Sequence, residues 1–277
     1  MIKRISQSVL LVGLVTLAGG AYAQNSNGEP WDKFNISLGG FASRSNSSVQ
    51  LNDETTGLGV SIDLENTLNV DSSLDTVRLD SLYRWGDTDR HQIEFHYFAN
   101  NREGVRTLSQ DIKIGDITYN AGDTLTTNFD MEFFNVDYAY AIVQSDEVRL
   151  ALSGGLHITG VELTIDSNLG AGFQEEESFT APLPVLGFRL DVNLAKNWRL
   201  RTRTDVFYLE YDNFTGGLAD SYFGVEWNPF KHVGFGLGYN NVTYRVKGDG
   251  SDPNGMDFSG KIDVTIAGLL LYARYFF

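Results

Sequence analysis

The sequence contains no cysteine, only five prolines and only four histidines among its 277 residues. The absence of cysteine excludes disulfide bonds, thiol chemistry and thiolate metal sites. Basic residues are also few, with 21 lysines and arginines against 36 acidic residues, so we expect no nucleic acid among the partners. After residue 24 there is no apolar run long enough to cross a membrane as a helix.

The first 23 residues have the three parts of a secretory signal peptide. Lys3 and Arg4 form a basic start, an apolar stretch covers residues 9–17, and Ala21 and Ala23 form a cleavage site of small residues. The alternative, a membrane anchor or a buried helix, is disfavoured because a spanning helix needs roughly 20 residues. We therefore predict a signal peptide over residues 1–23 and a short periplasmic segment over residues 24–33.

The end of the sequence alternates in the way that a membrane-facing strand does. Residues 261–277 read KIDVTIAGLLLYARYFF, and every second position counted back from the end is apolar or aromatic: Phe277, Tyr275, Ala273, Leu271 and Leu269. Outer-membrane barrels carry an outward apolar band that is flanked by aromatic girdles. The pattern predicts a terminal barrel strand, and we predict that these five residues form the signal read by the barrel assembly machinery.

Short polar segments alternate with longer polar segments along the chain. The short ones, typical of periplasmic turns, fall at 86–90, 144–147, 195–197 and 228–231, and the longer ones at 51–74, 103–126, 163–180, 212–219 and 247–260. The segments between them have the roughly 9–11 residues that a tilted strand needs to cross a membrane. We predict an all-β fold, a closed antiparallel up-and-down transmembrane β-barrel over residues 34–277, with about ten strands and with eight or twelve as alternatives.

The strand count depends on residues 45–73. Residues 48–51 and 59–64 both have the character of strands. They would either form a hairpin that projects above the membrane or add two spanning strands, and both answers keep the even strand number that bacterial barrels have.

The central segments have one apolar face and one charged face. In residues 197–208, for example, Arg199, Arg201 and Arg203 lie opposite a face that begins with Trp198 and Leu200. Turning the charged faces inward predicts a lumen network of eight arginines, six acids and two histidines. Its members are Arg78, Asp80, Arg84, Glu94, His96, Asp137, Arg149, His157, Arg189, Asp191, Arg199, Arg201, Arg203, Asp205, Glu226 and Arg274. On this assignment the lumen has an excess of two arginines over acids.

Two roles for this network stay open at the level of sequence. A barrel of ten strands is only slightly wider than one of eight, whose interior is just filled by side chains, so the arginines are expected to pair with the acids and plug the lumen. The alternative is an arginine ladder that passes anions, with Arg199, Arg201 and Arg203 at its core.

Two acidic loop segments, residues 175–177 and 249–257, are expected to be solvated. Divalent cations that bridge them to lipopolysaccharide phosphates are the alternative, although the second segment lacks the spacing of a calcium loop. The sequence has no cluster of histidine and cysteine, and we predict neither a metal site nor a cofactor.

Catalysis is not predicted, with an outer-membrane hydrolase as the alternative. An enzyme of that class needs a nucleophile within hydrogen-bond reach of its base. His91 and His232 fall in predicted turns, and neither His96 nor His157 belongs to a nucleophile motif. Glu94 and His96 share one face two residues apart, which leaves a paired role open.

Four segments resemble a family of small outer-membrane barrel proteins among the OmpA- and OmpW-like barrels. They are residues 78–85 (RLDSLYRW), 90–98 (RHQIEFHYF), 151–157 (ALSGGLH) and 182–189 (PLPVLGFR). The resemblance covers most of the chain after the signal peptide and implies a barrel fold and an outer-membrane location. It brings no catalytic motif with it.

The sequence therefore predicts an integral protein of the Gram-negative outer membrane with a structural or surface-interaction role. A narrow, weakly anion-selective channel for small solutes is the second hypothesis, and a lipid- or peptide-modifying enzyme is the third. The expected partners are outer-membrane lipids, lipopolysaccharide and, during biogenesis, the barrel assembly machinery.

Overall fold

Ten long antiparallel strands form a closed barrel in the computed structural model, which describes residues 30–52, 59–114, 117–168, 174–211, 214–249 and 259–277. Each barrel strand pairs with its neighbours along the chain, and the first strand pairs with the last. The barrel strands are β1 (Phe34–Leu51), β3 (Ser73–Trp85), β4 (His91–Thr107), β7 (Thr124–Gln144), β8 (Val148–Ser167), β9 (Gln174–Ala195), β10 (Trp198–Tyr211), β11 (Phe214–Trp227), β12 (Val233–Asp249) and β13 (Ser259–Phe276). The predicted closed barrel of ten strands is confirmed.

Three short strands and one helix lie in the connections between barrel strands. They are β2 (Ile62–Asp63), β5 (Ile112–Ile114), β6 (Ile117–Tyr119) and α1 (Leu64–Thr67). Across the described ranges, the helical structure offers no segment of the length and apolar character that a transmembrane helix requires.

The two ends of the barrel differ in their connections. At the turn end, β3 and β4, β7 and β8, β9 and β10, and β11 and β12 are joined by short turns, and the ends of β1 and β13 meet there. The turn after β3 begins at Gly86, whose φ of 96° lies in the left-handed region that glycine adopts without a steric cost. The opposite end, the loop end, carries β2, α1, β5 and β6.

The outward face of the barrel changes character along each strand. In β7 the outward side chains nearest the loop end are polar and include Asp130 and Glu132, whereas Phe134, Val136 and Tyr138 continue the same face toward the turn end. In β13 the same change separates Asp263 and Thr265 from Leu269 and Leu271. We call the part with the apolar outward face the membrane zone and the part with the polar outward face the outer zone.

The inward face changes in the opposite sense at the same level. In the outer zone the inward face of β7 carries the apolar residues Leu125, Phe129 and Met131, which are buried. In the membrane zone the same face carries Asn135 and Asp137. Side chains alternate between the inward and outward faces along the whole strand, so the two zones differ only in which face is polar and which is apolar. The outer zone is therefore built like a water-soluble barrel and the membrane zone is its inverse.

The connection over residues 45–73 completes the outer zone without adding a spanning strand. Ser48 and Val49 of β1 pair with β2, so the hairpin alternative holds at these residues, and α1 follows directly. Asp63 caps α1 by accepting a hydrogen bond from the Asn66 amide at 2.7 Å. Leu64 and Leu68 then pack into the apolar interior, so the connection covers the core of the outer zone from the loop end.

The strands run farther toward the loop end than the sequence predicted. Polar stretches assigned to loops, such as 103–126 and 163–180, contain the ends of β4 and β8 and the beginnings of β7 and β9. These strand ends lie in the outer zone, where the outward face is polar. These polar segments therefore resemble loops in the sequence, although their alternating residues continue the barrel strands.

Two inward tyrosines of the membrane zone lie across glycines of β12. A Cβ atom at Gly236 would collide with the ring of Tyr272, and one at Gly238 would collide with the ring of Tyr222. The two tyrosine hydroxyl groups are 3.0 Å apart. The glycines thus let two aromatic side chains lie flat against the barrel wall, beside the charged residues of the lumen.

Candidate functional site

The structure places all sixteen residues of the predicted lumen network on the inward face of the membrane zone. Thirteen are buried, and Asp80, His96 and Arg201 are nearly so. The alternation in the sequence assigns the same side chains to the inward face. Whether they conduct ions or fill the lumen is a separate question, which depends on how they are paired.

Two buried acids of the network were missed from the sequence, Asp32 and Asp220. Asp220 shares the inward face of β11 with Glu226, six residues along the predicted strand, so the period-two pattern could have found it. Asp32 precedes β1 and lies outside any alternating segment. With both acids included, eight arginines face eight carboxylates, and the predicted excess of two arginines is wrong.

The turn end of the lumen is organised around Asp32. Its carboxylate accepts from Arg199 Nη1 at 2.8 Å and pairs with Arg274, and its backbone oxygen accepts from Arg84 Nη1 at 2.5 Å. The ring of Trp31 lies 5.1 Å from the Arg199 guanidinium, in cation–π geometry. Residues ahead of the first strand are thus drawn into the barrel mouth.

The ionisation of Asp32 follows from these contacts. Burial alone would raise the pKa of its carboxyl group, because a charge loses its hydration there. The guanidinium groups of Arg199, Arg274 and Arg84 outweigh this effect and hold the pKa of Asp32 below its usual range. Asp32 is therefore a carboxylate at any pH near neutrality.

A second group of pairs lies one step farther along the barrel. Asp191 accepts from Arg201 Nε at 3.0 Å and lies 3.3 Å from Arg84 Nη2. Glu226 is 3.3 Å from Arg201 Nη1, is paired with Arg274 and accepts from the Tyr272 hydroxyl at 3.0 Å. Arg201 and Arg274 each bridge two acids, which suits the fork of fixed donors of an arginine.

The third group is centred on Arg189. Its guanidinium contacts Glu94 at 2.5 Å, Asp205 at 2.7 Å and Asp137 at 3.1 Å. Beside it, Arg203 donates to Asp220 at 2.9 Å. One cation therefore serves three carboxylates on strands β4, β7 and β10, and it ties these strands together across the barrel.

Arg78, Asp80 and the two inward histidines form a fourth group, and Arg149, the remaining member of the network, donates to Gln92 Oε1 at 2.6 Å. Arg78 donates to Asp80 at 2.9 Å, and Nδ1 of His96 lies 2.6 Å from the same carboxylate. The other nitrogen of His96, Nε2, lies 3.6 Å from Glu94. His157 Nε2 is 3.8 Å from Asp220, too far for a hydrogen bond. A cavity of about 40 Å³ separates Asp80, Glu94 and His96 from Tyr222 and Arg203.

A possible set of metal ligands emerges that the sequence did not predict. Side-chain atoms of Glu94, His96 and Asp137 lie within 4.8 Å of one another. Glu94 and Asp137 are direct partners on neighbouring strands, and His96 is two residues along from Glu94. The sequence shows the spacing of Glu94 and His96, but only the strand register brings Asp137 to them.

Five residues were predicted as an assembly signal: Leu269, Leu271, Ala273 and Tyr275 lie on the outward face of β13, and Phe277 directly follows the strand. The rings of Tyr275 and Phe277 meet edge to face, and Phe277 also contacts Phe34 at the turn end. Farther round the barrel, Trp198 stacks on Trp227 and Tyr83 stacks on Trp85. An aromatic girdle therefore surrounds the turn end of the membrane zone.

The proposed signal peptide and both acidic loop segments are not covered by the structure. Residues 1–29 and 250–258 lie outside the described residues, and the side chains of Glu175, Glu176 and Glu177 lie outside the described side chains. Their sequence-based interpretations stay predictions.

The fold matches solved barrels of bacterial outer membranes. The outer-membrane protease OmpT from Escherichia coli aligns over 88% of this chain and 96% of its own, with a TM-score of 0.51 and 10% sequence identity. This chain has the fold of an outer-membrane β-barrel. Two further matches are the Ail attachment invasion locus protein of Yersinia pestis and OprG from Pseudomonas aeruginosa. Ail has 11% sequence identity and a TM-score of 0.34, and the match covers 89% of this chain and 100% of Ail. OprG has 13% sequence identity and a TM-score of 0.33, and the match covers 93% of this chain and 98% of OprG.

These similarities concern the fold alone, because the sequence identities are so low. No protein-family model matches the sequence, and no curated protein matches it either. In outer-membrane barrels the short turns face the periplasm, so the turn end corresponds to the periplasmic end of that fold and the outer zone to its extracellular end.

Proposed function

We propose that this barrel has a structural or surface-interaction role and that its lumen passes no solute. The observation that carries the proposal is the charge balance of the membrane zone, where eight inward arginines face eight carboxylates. A lumen in which cations and anions neutralise each other offers no fixed excess charge to attract ions. The charged groups then serve to fill and cross-link the barrel.

The pairing of Arg199, Arg201 and Arg203 argues against an anion ladder. Each of the three guanidiniums contacts at least one carboxylate within 3.3 Å. An anion that entered the lumen would have to displace these carboxylates, which are held at fixed positions on the barrel wall. Because the displaced acids would then be buried without partners, the exchange is unfavourable.

The outer zone adds an apolar layer above the charged one. Phe129 and Met131 are buried inside it, and at its border with the membrane zone the rings of Phe98 and Phe133 stack with their centroids 4.5 Å apart. An ion on its way through would lose its hydration in this layer without gaining ligands, at a high free-energy cost. The two zones therefore oppose conduction for different physical reasons.

Single-channel recording in a planar bilayer tests this proposal. We would compare the refolded wild type with a variant in which Arg199, Arg201 and Arg203 are replaced by alanine, and with a matched control in which the outward cations Arg44, Arg245 and Lys247 are replaced by alanine. Folding is verified by the faster gel migration of an unheated barrel. We expect no stable steps from the folded wild type, and none from the control.

Stable wild-type steps that favour anions and weaken in the lumen variant would overturn the proposal and establish the channel hypothesis. Steps that appear only in the lumen variant would support the proposal, because they would show that the removed pairs had closed the lumen.

We further propose that the protein has no catalytic activity. Both inward histidines, His96 and His157, are enclosed in the lumen, where a lipid or peptide substrate has no access to them. The partners that we propose are outer-membrane lipids and lipopolysaccharide around the barrel wall, and the barrel assembly machinery at β13. The apolar outward face of the membrane zone, which includes Leu152, Leu186 and Leu271, supports the lipid partners.

A further inference from the structure

We propose that Glu94, His96 and Asp137 form a binding site for a zinc ion inside the membrane zone. The three residues lie on the inward faces of β4 and β7, and their potential ligand atoms are within 4.8 Å of one another. The inference goes beyond the structural role, since it gives the lumen a specific ligand. It does not depend on whether the lumen conducts.

The first argument is the convergence of atoms that accept hydrogen bonds. Nδ1 of His96 lies 2.6 Å from Asp80, so it carries the proton and donates, and the lone pair of Nε2 is left free. Nε2 nevertheless faces Glu94 Oε2 at 3.6 Å, and both atoms are acceptors. Glu94 Oε2 already accepts from Arg189, and a metal ion or a proton beside it would join the His96 lone pair to this carboxylate.

The second argument comes from hydrogen bonds that are not made. His96 Nε2 and both carboxylate oxygens of Asp137 are buried and take part in no hydrogen bond. Asp137 is 1% exposed, and its contact in the network is the ion pair between Oδ2 and Arg189 at 3.1 Å. A buried carboxylate oxygen without a hydrogen-bond donor is costly, and coordination of a metal ion would remove that cost.

The third argument is the support behind the ligands. Metal-bound histidines donate their second nitrogen to a carboxylate or carbonyl group, and Asp80 has that position behind His96. Asp80 is held in turn by Arg78 at 2.9 Å. The Glu94 carboxylate is oriented by Arg189 at 2.5 Å and by Gln92 at 2.5 Å. The ligands are thus fixed by a second layer of hydrogen bonds.

The donor set determines the kind of ion. One imidazole nitrogen and two carboxylate oxygens suit zinc, which binds three protein ligands and keeps a fourth position for water. The cavity of about 40 Å³ beside Glu94 and His96 holds two or three waters, which can supply that ligand. Calcium and magnesium prefer six or more oxygen ligands, so the site selects against them.

Arg189 limits the affinity of the site. Its guanidinium contacts both Glu94 and Asp137, so a divalent ion would lie close to a fixed positive charge. The site is also enclosed by the barrel, so we expect the ion to enter while the strands assemble. The experiment therefore adds the metal during refolding.

The test measures zinc that stays with the folded barrel. The chain from Gln24 is refolded from urea into detergent with equimolar zinc and passed over a gel-filtration column with a weak chelator. Bound zinc is then quantified by atomic emission. We expect about one zinc per folded wild-type barrel, and little or none in the His96→Gln and Asp137→Asn variants.

Two further variants refine the result. His91→Gln is the matched control, because His91 lies outside the lumen and bonds to the Tyr138 hydroxyl, and it should retain the full zinc content. Asp80→Asn removes the support behind His96 and should weaken zinc binding by roughly 10–100-fold, as changes behind a metal ligand do. Calcium offered in place of zinc should not be retained.

Two outcomes would overturn the proposal. Folded wild-type protein that retains no more zinc than His96→Gln would show that a proton alone lies between His96 and Glu94. Full retention by Asp137→Asn would show that the zinc is bound elsewhere. Neither outcome affects the conductance experiment, so the zinc site and the closed lumen can fail independently.

Discussion

The membrane zone and the outer zone are built from the same ten strands, but the polar and apolar faces of these strands are reversed between them. In β7, Phe134 faces lipid and Asp137 faces the lumen, whereas a few residues away Glu132 faces water and Met131 faces an apolar core. Hydrophobic burial stabilises the outer zone, as in a soluble protein. In the membrane zone the lipid removes that driving force between the strands, and hydrogen bonds and ion pairs inside the lumen take its place. The zones should therefore respond differently to the same chemical change.

The largest effect is expected from Arg189→Met in the membrane zone. The substitution removes the cation shared by Glu94, Asp137 and Asp205 and leaves three buried acids without it. Breaking a buried pair in this way costs about 3–5 kcal/mol. Urea unfolding in lipid vesicles, followed by tryptophan fluorescence, measures the loss. A change below about 1 kcal/mol would show that the network adds little to stability.

The boundary between the zones is tested by two arginine substitutions on the outward face of β13. Leu271→Arg places a charge in the lipid and should cost about 2–4 kcal/mol, whereas Thr265→Arg lies in the outer zone and should be nearly neutral. The same unfolding experiment compares the two variants. Equal costs would show that the boundary has been placed at the wrong level of the barrel.

A smaller effect is expected from Asp32→Asn at the periplasmic mouth. The variant loses the charge that pairs with Arg199 and Arg274, which should cost about 2 kcal/mol at neutral pH. Because the pKa of Asp32 is lowered in the folded state, its contribution is complete above the usual pKa of an aspartate and is lost as the pH falls through the folded value.

The wild type and Asp32→Asn should therefore differ fully at pH 7 and converge only in acid below about pH 4. Unfolding curves recorded at a series of pH values measure this difference. A difference that grew in acid would contradict the assigned ionisation.

The smallest effect is expected from Arg245→Ala on the outward face of the outer zone. Arg245 pairs there with Asp263, but its side chain is 60% exposed to water. Exposed pairs of this kind contribute less than about 1 kcal/mol. The variant is the matched control for Arg189→Met, since each removes one arginine from an ion pair. A similar cost for both would remove the distinction between the zones.

Much of the barrel could be predicted from the sequence, because successive residues of a strand point to opposite faces. The residues of each face are therefore found at every second position. Arg199, Arg201 and Arg203 were placed in the lumen by their alternation with Trp198 and Leu200 alone. The same reasoning identified the C-terminal strand and its outward face. It works best in the membrane zone, where the lipid-facing side must be apolar throughout.

The parts that could not be predicted have no periodic signal or depend on register. Asp32 precedes the first strand, and α1 is a single turn whose burial depends on the barrel around it. Asp137 meets Glu94 and His96 because β7 follows β4 across a long connection, and the length of that connection does not fix the register. The zinc ligands therefore required the structure.

The pairing of Asp32 with Arg274 has a consequence for how the barrel matures. These residues are separated by 242 positions, nearly the whole chain, and they meet only when β13 pairs with β1. Until then Arg274 and Arg199 lack Asp32 as a counter-ion. An intermediate in which β1 and β13 are still apart thus carries unpaired charges that are paired in the closed barrel. Pairing of β13 with β1 removes these unpaired charges. The last step of assembly is favoured electrostatically as well as by backbone pairing, and a truncated chain cannot complete it.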